Sequence, residues 1–213
     1  MRASRSAFLP LLLFLTCLVE VRGDQSAPST NIVVEPTPPA PLDVKRVDES
    51  EPGIPNAFRI HGTSGTNRFA FLLPAGYRME VVRQDKVLLI SPDQLGYIAI
   101  RIVDAVVRKT IPQDVLREKA RLQFAQPEIV EEFKLHAADC AGPAIELKWL
   151  GPENFPMRGR MALVPTAIGV LEFTATTPPA GIVEAHNALN TVLTTFRTAA
   201  GGEPTIAPLS NLF

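Results

Sequence analysis

The chain has 213 residues, with 21 Lys and Arg against 22 Asp and Glu and a formal net charge of -1. That balance offers no basic patch able to neutralise a run of phosphates, which argues against nucleic acid as a partner. The length fits one domain plus appendages, and such a domain can bury enough apolar surface to need neither a metal nor a disulfide staple.

Arg2 and Arg5 precede a largely apolar run from Ala7 to Val19, too short to span a bilayer comfortably. A basic start followed by such a run reads as an export signal over residues 1–23, with Asp24 as the mature N-terminus. Cys17 leaves two readings open. In one it is discarded with the signal. In the other, Phe14-Leu15-Thr16-Cys17 acts as a lipoprotein box, with Thr16 departing from the usual Gly, Ala or Ser, and Cys17 carries a lipid that is the chain's only link to a membrane. Residues 24–57 are polar and proline-rich, with Glu-Pro-Thr-Pro-Pro-Ala-Pro at 35–41, and read as a disordered tether.

The folded domain is expected over residues 58–198. Phe58 to His61 is a short strand, and a turn-rich loop leads from it into Arg68-Phe-Ala-Phe-Leu-Leu-Pro-Ala-Gly-Tyr77. There Phe69, Phe71 and Leu73 alternate onto one face before Pro74 ends the strand. Met79 to Val82, Lys86 to Ser91 and Gly96 to Val107 extend an antiparallel meander. Thr110 with Pro112 and Gln113 predicts a capped helix that Gln126-Pro127 stops, lying over the sheet near an edge with Lys119 inside its apolar side. Four more strands follow at 129–138, 144–150, 157–164 and 168–175, with Gly142-Pro143 as the first turn between them. Ile182, Ala185, Leu189, Val192, Leu193 and Phe196 recur at helical spacing and define a final amphipathic helix, after which residues 199–213 read as a disordered tail.

Candidate chemistry is sparse. His136, Asp139 and Cys140 crowd one turn and are the weak candidates for a soft divalent metal, although Asp139 points away from the other two in an extended strand. Arg158 and Arg160 share a strand face and present a small anion or protein contact, against the simpler reading of a solvated face. Trp149 and the loop from Gly151 to Pro156 are the candidate wall of a binding cleft. Glu131 and Glu132 point to opposite faces and cannot form a catalytic dyad. There is no Gly-x-Ser-x-Gly and no His-Glu-x-x-His, so the sequence nominates no catalytic residue, no resident metal and no cofactor.

The Phe-x-Phe-x-Leu-Pro-x-Gly-Tyr opening, the meander, the helix, four strands with a Gly142-Pro-Ala144 junction, and a final helix ending in Thr195-Phe196 together resemble the PsbP-like superfamily. That group takes in the extrinsic PsbP proteins, the Mog proteins and exported bacterial proteins of the DcrB kind. The resemblance covers about residues 58–197. It implies an α+β fold, an antiparallel sheet of about six strands sandwiched by helices (α/β/α), and carries over no functional residue. The leading expectation is an exported, non-enzymatic binding or accessory protein of the bacterial cell envelope, with an envelope protein as partner. A small-ligand or metal-binding periplasmic protein is the alternative, and an unrecognised hydrolase a third.

Overall fold

A computed structural model describes residues 40–50, 56–82 and 85–206. The export signal, Cys17, most of the proline-rich stretch and residues 207–213 lie outside the described residues. Two antiparallel sheets organise the rest. The smaller contains β1 (Leu42–Asp48), β2 (Phe58–Ser64), β3 (Asn67–Leu72) and β11 (Arg197–Ala200), in that order. The larger has seven strands in the order β4 (Arg78–Val82), β5 (Lys86–Ile90), β6 (Tyr97–Asp104), β10 (Gly169–Thr177), β9 (Pro156–Thr166), β8 (Cys140–Leu150) and β7 (Glu128–Ala137).

Helix α2 (Ile182–Thr195) packs against β3 of the small sheet and against β6, β7 and β10 of the large one. Its buried Ala188, Leu189, Val192 and Leu193 join both sheets in one core. Helix α1 (Gln113–Gln123) covers the opposite face of the large sheet at β8 and β9, where Leu116, Ala120 and Phe124 meet Ile145, Leu147, Met161 and Leu163. The expected helices on both faces are present, but the large sheet has seven strands, not six, and a second sheet lies beyond α2. The fold is therefore richer in β-structure than an α/β/α sandwich.

The aromatic opening of β3 seeds the core as its alternation predicts. Phe69 and Phe71 stack on Phe196, at 5.5 Å between ring centres in each case, and Phe173 meets Phe196 edge-on at 5.3 Å. The last turn of α2 fastens the same strand: the Leu72 amide donates to the Thr195 hydroxyl at 3.0 Å. Gly62 pairs with Phe69 across β2 and β3, and a Cβ there would overlap the Phe69 ring. Gly62→Ala is expected to push Phe69 off its stack and cost about 2 kcal/mol, read as a lower midpoint in a urea melt.

Four boundaries depart from the sequence reading. Leu42 and Val44, inside the stretch expected as tether, pack on the core, so β1 pairs with β2. Arg197–Ala200 pairs with β3, so the start of the expected tail is also a strand. The turn between β7 and β8 falls at Ala138 and Asp139, both at positive φ as a two-residue hairpin requires. Gly142 and Pro143 lie within β8, where a Cβ on Gly142 would run into the Leu163 carbonyl of β9, so that glycine serves close strand approach and not a turn. Finally, α1 begins after Pro112 with no side-chain cap, and Gln113 donates its amide to the Ala144 carbonyl at 3.3 Å in place of closing a capping box.

Candidate functional site

Strand alternation sets the chemistry at the β7–β8–β9 end of the large sheet. Ile145, Leu147 and Trp149 point toward α1, which leaves Glu146 and Lys148 on the α2 side. In the β8–β9 register Glu146 lies opposite Arg160 and Lys148 opposite Arg158, so one face carries all four charges. Because α2 returns over this face, Glu146 is only 6% exposed. Its carboxylate is shared. Arg160 donates from Nε and Nη2 to Oε2, each at 3.2 Å, and Arg158 donates from Nη2 to Oε1. The Arg160 guanidinium also lies 5.1 Å from the Phe133 ring centre. Around Glu146 the face is thus a covered ion cluster, while Lys148 at its end stays exposed.

His186 of α2 completes the cluster, its Nε2 at 3.8 Å from Glu146 Oε2, beyond hydrogen-bond reach. Burial, then the neighbouring Arg160, hold its pKa below the ordinary histidine value, with Glu146 pulling the other way. A folded-state pKa below the unfolded one means the unfolded chain binds more protons in that window. Stability from this group is therefore full above pH 6.5, the ordinary histidine value, and declines as pH falls toward the folded-state value. His186→Gln is expected to remove that part of the slope between neutral and mildly acid pH, read from unfolding free energies across the range.

Beside the cluster, a cleft of about 850 Å³ opens where β7, β8 and β9 end, lined by Val130, Trp149, Leu150, Pro156, Met157 and Arg158 among others. Trp149 packs on Phe124 at 4.3 Å between ring centres, which fixes the wall against α1. The Gly151 amide bonds the Phe155 carbonyl at 2.8 Å and closes the Gly151–Pro156 loop. Leu150 and Phe155 remain 54% and 52% exposed at this end. A second cleft of about 640 Å³ lies between α2 and the turns after β3 and β5. Its Tyr77 phenol is pushed above the ordinary value by burial and by the charges of Asp93 and Glu184.

The three weak metal candidates are not brought together. The two-residue turn sets Cys140 opposite Ala137, so it packs on the α2-side core while His136 points to the other face. Asp139 stays in the turn at positive φ. Among the described residues no group of three His, Cys, Asp or Glu side chains is placed to hold a metal ion.

Two features escaped the sequence reading. Glu172, in the apolar run of β10, is buried and ion-paired with Lys119 of α1 at 2.9 Å. A charge inside each apolar pattern was the available signal, and each explains the other. Glu146 as the hub of the arginine pair was missed because alternation alone does not show that both faces of β8 are covered.

No protein-family model matches the chain, and no curated protein matches it. Among solved structures the chain is similar to the following at low identity. One is the cyanobacterial PsbP (CyanoP) of Synechocystis sp. PCC 6803, at 12% identity over 75% of this chain and 94% of that one, with a TM-score of 0.46. Another is LpqN of Mycobacterium tuberculosis, involved in cell envelope biogenesis, at 9% identity over 74% of this chain and 91% of that one, with a TM-score of 0.44. A protein of unknown function from Pseudomonas aeruginosa is similar at 17% identity over 55% of this chain and 92% of that one, with a TM-score of 0.36. Among the described residues no helix is long and apolar enough to cross a membrane.

Proposed function

We propose that this chain is an exported, non-enzymatic accessory protein of the bacterial cell envelope that holds a protein partner at the Trp149 cleft. The observation that carries this reading is the cleft itself, where Trp149, Leu150, Met157 and Pro156 line an opening with exposed Leu150 and Phe155 at its end. Contiguous exposed apolar surface bordered by polar groups marks an interaction site. Arg160 is engaged with Glu146 and lies behind the lining, whereas Arg158, partly exposed, bonds Glu146 and also lines the opening. The basic and apolar residues 1–23 supply the export address, and the proline-rich stretch after them supplies reach.

Gentle crosslinking in native envelope, followed by mass spectrometry of everything recovered with the full chain, tests this. A stoichiometric partner that is lost with Leu150→Asp supports the reading, and recovery of the chain alone contradicts it. The volume of the cleft also suits a small molecule, and that second reading predicts stabilisation by about 2.7 kcal/mol at a hundredfold excess over the dissociation constant, visible in a thermal-shift screen.

A further inference from the structure

The charges around the cleft do not cancel. Lys148, Arg158 and Glu128 are its charged lining residues, two cations against one carboxylate. Lys148 and Glu128 pair with each other at 2.7 Å. Among the described residues Arg158 pairs with one carboxylate, Glu146, which it shares with Arg160 and His186. Its Nε is buried and has no acceptor among the described residues, yet the side chain as a whole is 34% exposed and lines the opening. Glu131, which the register places opposite Glu146, is exposed and forms no ion pair among the described residues. A guanidinium has five donors in a planar fork suited to a carboxylate, and one already divided carboxylate leaves most of that fork unused.

The rest of the lining indicates what accompanies the anion. Trp149, Leu150 and Met157 offer apolar wall, while Gln126 and Asn154 bring carboxamides to the same opening. An alkyl chain laid here would strip water from those carboxamides and return nothing, whereas peptide N–H and C=O groups would bond them. From this geometry we infer that the cleft takes a short extended polypeptide segment of the partner, with an apolar side chain against Trp149 and Leu150 and a carboxylate, acidic side chain or chain terminus, on Arg158. The inference rests on the reading of a partner-binding protein and names the chemistry of the partner's contact.

The test is selection from a random hexapeptide library with free carboxyl termini on the immobilised full chain, followed by titration of a selected peptide. Trp149 is the only tryptophan in the sequence, so its emission reports occupancy of the cleft directly. The expected result is enrichment of apolar residues beside a carboxylate and a saturable shift of the Trp149 emission. Replacing that carboxylate by its carboxamide is expected to weaken binding at least tenfold, and Arg158→Gln is expected to abolish the difference between the two peptides. Leu150→Ser, at an exposed position that the fold does not need, is expected to weaken both. The inference is overturned by failure to enrich any sequence, by equal binding of a selected peptide and the forms in which its acidic side chain or its terminus is a carboxamide, or by binding that leaves Trp149 emission unchanged. Saturation by dodecanoate but by no peptide also overturns it, in favour of an acyl chain. If crosslinking still recovers an envelope partner when Leu150→Asp is introduced, the partner docks elsewhere; this inference then fails while the accessory role stands.

Discussion

Phe196→Ala is expected to cost about 4 kcal/mol of unfolding free energy, a large part of the stability of an ordinary domain. Phe196 is fully buried at the point where α2 gives way to β11. Its ring joins two strands through three rings: Phe69 and Phe71 of β3 stack on it from the small sheet, and Phe173 of β10 meets it edge-on from the large one. Truncation would remove the transfer energy of the ring and open a cavity that three other aromatics cannot fill without leaving their own rotamers. The loss is read as a shift in the guanidinium midpoint at an unchanged slope. Phe196→Leu, which keeps much of the volume, is expected to cost far less. A near-neutral alanine variant would mean that the two sheets do not share a core through α2.

Glu146→Ala is expected to cost about 3 kcal/mol, at the low end for breaking a covered ion pair because both arginines keep part of their surface in water. Without the carboxylate, Arg158 and Arg160 repel each other beneath α2, and His186 loses the group that favours its protonated form. Glu146→Met combined with Arg158→Met and Arg160→Met is expected to restore much of the loss, since apolar side chains of similar volume need no counter-charge. A double-mutant cycle on Glu146 and Arg160, measured by chemical denaturation, gives the coupling directly. A coupling close to zero would show that the cluster is not held as described.

Much of the core was legible because alternation fixes parity. Phe69, Phe71 and Leu73 share the buried face of their strand, and Ile145, Leu147 and Trp149 share the face under α1. The stripe from Ala185 to Phe196 likewise marked the buried side of α2. Parity does not say what lies over the other face. Glu146 reads as solvated, as its neighbour Lys148 in fact is, until α2, some forty residues on, is seen to return across β7 and β10. Local composition also misled at the edges. Leu42 and Val44 sit among prolines and charges and form β1 only because β2 offers a free edge, a long-range gain that no short window contains. The hairpin after Ala137 turns on Ala138 and Asp139 without a glycine, while the visible Gly142 serves close approach to β9. The cleft was legible as a place, through Trp149 and its loop, but its charge balance follows from pairings that only the folded chain reveals.

The most direct test of the central claim is photocrosslinking in native envelope from a benzophenone side chain placed at position 155, beside the cleft, and in a separate variant at position 47 on the small sheet. Both native residues, Phe155 and Val47, are exposed, so neither substitution disturbs the core. One dominant adduct is expected from position 155, suppressed by a selected acidic peptide and absent from position 47. The same adducts from both positions, or none from position 155, would contradict that claim.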